Sequence, residues 1–285
     1  MTFSIVAHDA GAGEWGVAVA SKYLAAGSVV PFAAADVGAV ATQALVNVAY
    51  GRDGLALLAD GADAERVVAA LTDADEDAAH RQVGVVDGTG RAATYTGSEC
   101  LYWAGGRTGP GYACQGNILV GPEVVDAMAD AFTAAEGDLA SRLVDALRAG
   151  DLAGGDARGR QSAGLLVVGS GDGHLESSDV VVDLRVDDHL DPVLELVRLL
   201  AIHRHLYPRA EDLEFVDVDA ALAGEIARLL DVRGSLAAPH ADGAGYDDDL
   251  RRSLFAWVAT ENLEGRWVDD DRIEEAVLMA LRAGR

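Results

Sequence analysis

The sequence predicts an α+β protein, a four-layer αββα sandwich followed by a small helical domain. Short segments rich in β-branched residues alternate in polarity as strands do, and they arrive in pairs along the chain. Segments with the 3.6-residue period of helices also arrive in pairs. Paired elements favour two antiparallel sheets stacked face to face with helices outside. They argue against the single strand–helix alternation of a doubly wound parallel sheet.

The paired elements follow one another through the first 207 residues. The stretch "DAGAGE" separates the strands of a first hairpin, and "QVGVVDGTGRAATYTG" has the form of a second hairpin with its turn at 87–90. "GYACQGNILV" supplies a further strand. The other strands are predicted over 2–8, 15–22, 28–32, 38–43, 162–168 and 180–186. The helices are predicted over 51–60, 63–71, 122–135, 138–149 and 192–206.

The character of the chain changes after "HLYPRAEDL". Helical segments follow, and the Gly-, Pro- and Asp-rich stretch "RGSLAAPHADGAGYDDD" separates the first of them from the next. These segments are predicted over 218–230, 248–261 and 270–282. We therefore expect two domains, residues 1–207 and 208–285.

Composition excludes several classes of partner. The formal net charge of −25 would repel nucleic acid and an anionic membrane surface. No apolar run reaches the roughly 18 residues of a membrane span, and the N-terminus lacks the pattern of a signal peptide. The two cysteines, Cys100 and Cys114, are too few for a disulfide framework. We expect a cytoplasmic protein with free thiols and no cofactor.

Lys22 is the only lysine in a chain that uses arginine throughout, and Thr2 directly follows the initiator Met. If the first hairpin turns at Ala12, Thr2 lies opposite Lys22 on an adjacent strand. Directly opposed β-carbons are roughly 5 Å apart, so the ammonium would reach the threonine hydroxyl. The other face would be apolar and buried, with Phe3, Ile5, Val17 and Val19. A lysine that survived by chance is the alternative.

Thr2 could act as a nucleophile if Met1 is removed. The free α-amine, with an ordinary pKa of about 7.7 to 8.0, would then lie beside the hydroxyl and could accept its proton. One residue would supply both nucleophile and base. A nearby Lys22 cation would favour the neutral amine and the alkoxide. An ordinary threonine at the start of a strand is the alternative.

Several stretches together resemble one known family. They are "MTFSIVAHD", "WGVAVASKYLAAGSVVPFA", "GAVATQA", "QGNILVGPEVVDAM", "GGDARGRQSAGLLVV" and "VDLRVDDHLDPV". They resemble the family catalogued as domain of unknown function 1028 over roughly residues 2–205. That family is grouped with the N-terminal nucleophile (Ntn) hydrolases, whose fold is the αββα sandwich. The resemblance implies that Thr2 is the nucleophile. The chain departs from the proteasome-like pattern, which has an Asp before a more distant Lys, because it reads Ala20, Ser21, Lys22.

Other family stretches carry groups that hydrolysis could use. "CQGN" contains Gln115 and Asn117, amides able to donate to a developing oxyanion. Asn117 is the preferred catalytic candidate, and a strand-end cap is its alternative. Ser21 and Gln43 are candidate substrate-binding residues in the predicted second and fourth strands.

The loop "GGDARGRQS" and the strand "VDLRVDDH" supply the remaining candidates. Asp156, Gln161 and Ser162 lie in or next to the loop, where sites are common, although Asp156 could instead form an ion pair with Arg160. Arg185 and Asp187 fall on one face of a strand. That spacing suits a clamp on a substrate carboxylate, but an internal ion pair between the two residues is the favoured interpretation.

Two other signals predict no additional chemistry. His203 and His205 are two apart on a predicted helix and point in different directions, so we expect no metal site. Cys100 has no identifiable histidine partner and is interpreted as structural.

"FVDVDAALAGEIARLLDVRG" and "FAWVATENLEGRW" resemble a small helical domain labelled peptidoglycan-binding. Trp257 and Trp267 in this region are interpreted as core or oligomer contacts.

The sequence therefore favours an Ntn-type amidohydrolase that acts on a small amide or peptide-like metabolite through an acyl-enzyme on Thr2. Catalysis is assigned to Thr2, Lys22 and Asn117. The alternatives are a non-catalytic small-molecule-binding protein and a structural oligomer that retain the same fold. A homo-oligomer is expected because sandwich enzymes of this kind commonly assemble.

Overall fold

The computed structural model describes residues 2–171, 173, 178–241 and 244–283. The chain divides into two compact units, Met1–Leu200 and Ala201–Arg285. The first unit mixes helices with two sheets and the second is mainly helical, so the α+β class with a helical C-terminal region is confirmed. Among the described residues, no helix is both long and apolar enough to cross a membrane.

Ten strands of the first unit form two antiparallel sheets. They are β1 (Thr2–Asp9), β2 (Glu14–Ser21), β3 (Pro31–Ala34), β4 (Gly38–Ala44), β5 (Arg81–Asp87), β6 (Ala92–Thr96), β7 (Trp103–Gly109), β8 (Tyr112–Leu119), β9 (Ser162–Gly169) and β10 (Val180–Val186). One sheet has six strands in the order β10-β9-β2-β1-β8-β7, and the other has four in the order β3-β4-β5-β6. The two sheets pack face to face through an apolar layer that contains Val6, Val17, Ala41 and Val86.

Helices cover the outer face of each sheet. They are α1 (Ala49–Ala59), α2 (Ala64–Asp73), α3 (Glu123–Ala134), α4 (Leu139–Leu152) and α5 (Pro192–Leu206). The outer face of the four-stranded sheet packs on α1 and α2, and that of the six-stranded sheet packs on α3, α4 and the first part of α5. The first unit is therefore a four-layer αββα sandwich.

Local signals explain where several helices start. Asp63 and Asp138 precede α2 and α4 in an extended conformation, and each side chain accepts a hydrogen bond from the backbone N–H three residues later. This N-cap geometry satisfies one of the free N–H groups at a helix start. Both positions agree with the predicted starts.

The first hairpin is shifted by one residue from its predicted register. The structure pairs Phe3 with Ala20 and Val6 with Val17. Thr2 therefore lies next to Ser21, and the predicted pairing of Thr2 with Lys22 is wrong. The predicted common face is also wrong, because Phe3 and Ile5 pack on the helices whereas Val17 and Val19 face the other sheet. All four apolar side chains are nevertheless buried, as expected.

The second unit contains β11 (Phe215–Asp217), α6 (Ala220–Val232), α7 (Asp248–Thr260), β12 (Arg272–Glu274) and α8 (Glu275–Ala283). The three helices pack around Ile226, Leu254, Trp257 and Leu278. Trp257 is buried, which confirms its interpretation as a core residue. The last helix begins later than predicted because 272–274 pair with β11.

Candidate active site

A group of polar side chains is buried between the two sheets, at the end of the sandwich where β1 begins. We call it the polar layer. The alternation of each strand turns these side chains inward, in line with the apolar residues that join the sheets. Its members are Thr2, Ser4, Ser21, Gln43, Gln82, Gln115 and Asn117, all at most 6% exposed.

Thr2 lies between two polar neighbours. Its Oγ1 is 3.1 Å from Oγ of Ser21 on β2. On its other side, Asn117 of β8 is its direct partner in the antiparallel ladder. Side chains at paired positions share one face of a sheet, so the hydroxyl of Thr2 and the amide of Asn117 are close neighbours.

Gln82 on the opposite sheet fixes the orientation of Asn117. The Oε1 atom of Gln82 accepts hydrogen bonds from Nδ2 of Asn117 at 2.8 Å and from Nε2 of Gln43 at 2.7 Å. Its Nε2 donates to the carbonyl of Gly116 at 2.7 Å and to Oγ1 of Thr96 at 2.8 Å. Because both ends of the Gln82 amide are engaged, its direction is set, and with it the direction of the Asn117 amide.

Ser4 and Gln115 form the inner part of the polar layer. Oγ of Ser4 donates to Oε1 of Gln43 at 2.7 Å and accepts from Nε2 of Gln115 at 2.7 Å. Oε1 of Gln115 is buried without a hydrogen-bond partner in the described structure. Gly84 leaves room for this amide, since a β-carbon there would stand 2.0 Å from that oxygen. The glycine therefore permits the close approach of the two sheets at this point.

A β-bulge interrupts strand β8 directly after Asn117, just before the strand ends at Leu119. Between the Trp103–Leu119 and Gly105–Gly116 pairs, one residue of β7 opposes two of β8. Ile118 lies in this bulge with a φ of 53°, an unfavourable conformation for a β-branched residue. Neighbouring loops hold it, because its N–H donates to the carbonyl of Leu101 and its carbonyl accepts from the N–H of Ala157. Bulges commonly redirect a side chain next to a site.

Lys22 is placed differently from the prediction. It follows the last residue of β2, is exposed, and its Nζ donates to the carbonyl of Arg160 at 3.1 Å. Its backbone N–H donates to the carboxylate of Asp156 at 2.8 Å. The ion pair considered between Asp156 and Arg160 is also wrong. Asp156 pairs with Arg158, whereas Arg160 pairs with Asp151 at 2.7 Å.

The remaining predicted binding residues lie outside the polar layer. Ser162 is on the same face as Ser21, but its hydroxyl donates to the carbonyl of Tyr23 and accepts from the N–H of Ala26, so it holds the loop after β2. Gln161 donates to the carboxylate of Asp188.

Arg185 and Asp187 do not form the predicted ion pair. Arg185 pairs instead with Asp183, and both side chains are about half exposed. Asp187 is exposed after the end of β10. Since β10 is an edge strand separated from β1 by β9 and β2, these two residues do not join Thr2.

A pocket opens beside Ser21 at the same end of the sandwich. It has a volume of about 560 Å³, within the range of small-molecule sites. Its lining is Phe3, Ala20, Ser21, Asp151, Leu152, Gly154, Asp156, Gly159, Arg160, Leu190, Pro192 and Val193. The hydrogen-bond partner of Thr2 therefore also borders a cavity.

The cysteines are in environments that favour the neutral thiol. Burial raises the pKa of Cys100, and burial also raises the pKa of the fully enclosed Cys114. Among the described residues, no group of three or more His, Cys, Asp or Glu side chains is arranged to hold a metal ion.

Comparison with known proteins places the first unit in a family. Residues 2–196 match the model described as "Family of unknown function (DUF1028)". The chain belongs to this family. Residues 223–281 match a second model, described as "Putative peptidoglycan binding domain".

A solved DUF1028 structure has the same fold. Protein SPO2555 from Silicibacter pomeroyi, described as a DUF1028 protein, is 33% identical over 71% of this chain and 89% of its own, with a TM-score of 0.64. No curated protein matches the chain. Membership in the DUF1028 family therefore supports the fold but assigns no activity.

Part of the polar layer could be predicted from the sequence. The residues that were candidates and meet in it are Thr2, Ser21, Gln43, Gln115 and Asn117. Ser4 and Gln82 were missed, as was Thr96, which lies outside the layer and accepts from Gln82. The signal that could have found them is a polar residue at an inward position of an otherwise apolar strand. In "QVGVV", for example, the strand alternation turns the side chain of Gln82 toward the other sheet.

Proposed function

We propose that this protein is an Ntn-type amidohydrolase that acts on a small amide or peptide-like metabolite, with Thr2 as its nucleophile once Met1 is removed. One observation carries the proposal. Thr2 begins a central strand, and its hydroxyl lies in a buried polar layer between Ser21 and Asn117, of which Ser21 also lines a pocket.

The proposed reaction uses the α-amine of Thr2 as the base. The neutral amine takes the proton of the hydroxyl, and Oγ1 attacks the carbonyl carbon of the amide. The C–N bond of the tetrahedral intermediate then breaks, and the leaving nitrogen receives the proton from the ammonium. Water attacks the resulting ester with the same amine as base, which releases the acid and restores Thr2.

Asn117 is the proposed oxyanion donor. Its amide is oriented by Gln82 before any substrate binds, so little reorganisation is required as negative charge develops. Loss of one such donor costs about 3 kcal/mol of transition-state stabilisation. Ser21 is proposed to hold the hydroxyl of Thr2 in position through their 3.1 Å contact.

Lys22 has no part in this proposal. The argument for it depended on a strand register that the structure replaces, and its ammonium binds the carbonyl of Arg160 instead. The pocket and the polar layer supply the remaining support.

The test combines intact-mass analysis with labelling by an electrophilic β-lactone. We expect Met1 to be absent and one label to reside on Thr2. Thr2→Ala should abolish labelling, Thr2→Ser should retain it, and Cys100→Ala should leave it unchanged. A retained Met1, or labelling that persists in Thr2→Ala, would contradict the proposal. A retained Met1 would favour the alternative of a non-catalytic binding or structural oligomeric protein. We also propose a homo-oligomer, which sedimentation can test.

A further inference from the structure

The pocket beside Ser21 is lined in large part by apolar side chains. Phe3 and Ala20 belong to its lining, with Pro192 and Val193 from the start of α5. Leu152 and Leu190 also line it, although they are 74% and 93% exposed. Two exposed leucines on one pocket leave apolar surface that a bound ligand would remove from water.

The charged groups of the pocket are already engaged within the protein. Arg160 donates to Asp151 at 2.7 Å. The carboxylate of Asp156 accepts from the backbone N–H groups of Lys22 and Arg158, each at 2.8 Å. A charged ligand group would have to compete with these partners, and an anionic one would also meet the net charge of −25.

Exposed apolar side chains are concentrated at this end of the first unit. Apart from Leu194 on α5, every exposed large apolar residue described there lies in a loop or helix terminus next to the end that contains Thr2. These residues are Tyr23, Leu24, Leu45, Val48, Leu101, Tyr102, Val120, Leu152 and Leu190. The asymmetry indicates that this end handles apolar material, because scattered exposure would be distributed over the whole surface.

We infer that the pocket binds an uncharged aliphatic group of the substrate, such as the acyl chain of an N-acyl amide. This inference rests on the proposed function, since it places the chain next to the residue that contacts Thr2. Each methylene that enters the pocket should raise kcat/KM by about fourfold until the cavity is filled, as expected from the free energy of burying a methylene.

The test uses p-nitroanilides with acetyl, butyryl, hexanoyl and octanoyl groups, and a succinyl substrate as the charged comparison. We expect kcat/KM to rise along the aliphatic series and to be low for succinyl. Leu152→Asp and Leu190→Asp should each reduce the octanoyl-to-acetyl ratio of kcat/KM by at least about tenfold. Leu194→Asp is the matched control, because this exposed leucine does not line the pocket, and it should leave the ratio unchanged.

A binding experiment separates this inference from the proposed reaction. Thr2→Ala protein is titrated with hexanamide and acetamide and followed by NMR. Hexanamide should bind more tightly than acetamide, and this difference should be lost in Thr2→Ala/Leu190→Asp. That result would support binding of an aliphatic group in the pocket even if no amide is hydrolysed. Hydrolysis without dependence on chain length, or equal binding of the two amides, would overturn the inference and leave the role of Thr2 standing.

Discussion

Replacement of Gln82 by leucine tests whether the polar layer is held together by a single amide. Gln82 is completely buried, and leucine is close to it in size, so the change removes hydrogen bonds with little change in packing. The wild-type amide accepts from Gln43 and Asn117 and donates to Gly116 and Thr96. Gln82→Leu removes all four contacts at once, together with a fifth, longer one of 3.3 Å to the carbonyl of Gly105.

The expected loss follows from the groups that are left unpaired. Nδ2 of Asn117 and the carbonyl of Gly116 are deeply buried, and Nε2 of Gln43 keeps only two contacts of 3.4 Å. A buried polar group that loses its partner costs about 1–3 kcal/mol. Two to three such groups give an expected loss of about 3–5 kcal/mol in the free energy of unfolding.

Urea denaturation of the full chain measures this loss, with Thr96→Val as the control. Thr96 is half-buried and is one of several partners of Gln82, so its replacement should cost about 1 kcal/mol or less. The double variant Gln82→Leu/Asn117→Leu should lose at least about 1 kcal/mol less than the sum of the two single variants, because the unpaired Asn117 donor is then absent.

Two results would refute this reasoning. One is a loss below about 1 kcal/mol for Gln82→Leu, which would mean that its partners find other hydrogen bonds at no cost. The other is strict additivity in the double variant. Either would remove the basis for treating the Asn117 amide as preoriented.

Four further outcomes are expected. Lys22→Met should change β-lactone labelling by less than about twofold, as measured by mass spectrometry, because its ammonium binds a loop carbonyl. Burial lowers the pKa of His8 below its ordinary value of 6.5, so the unfolded chain binds the proton more readily than the folded chain does. The free energy of unfolding should therefore fall as the pH is lowered from 7 to 5, and it should fall less in His8→Gln. Gly84→Ala should cost about 1–3 kcal/mol in urea denaturation by displacing the buried glutamine amide of β8. Arg266→Met should destabilise the second unit by about 3–5 kcal/mol in calorimetry, because it leaves the buried carboxylate of Glu274 without its cation.

Much of the sandwich could be predicted because its elements are local and strongly patterned. The pairs of strands and helices appear in the sequence with turns between them, and Asp63 and Asp138 mark two helix starts through capping. Strand β7 was missed since its sequence "WAGGRTG" has three glycines and no alternation of apolar residues. Its position depends on pairing with β8, a contact that a local pattern does not reveal.

The register of the first hairpin could not be predicted from hydrophobicity. Both faces of β1 and β2 are buried, one against helices and one against the other sheet, so a shift by one residue exposes no apolar side chain. The turn decides the register instead. The side chain of Asp9 accepts from the N–H groups of Gly11 and Ala12, and Gly13 has a φ of 67°. The error at Lys22 follows directly from this ambiguity.

The bulge at Ile118 lowers the stability of the folded chain, and it also directs a side chain of the candidate active site. A β-branched residue with a φ of 53° costs about 1–3 kcal/mol, which glycine would largely avoid. An engineer selecting for heat resistance would therefore be led to Ile118→Gly. That change would also free the backbone that directs Asn117 toward Thr2, so a search guided by thermal resistance alone would favour variants with a loosened site.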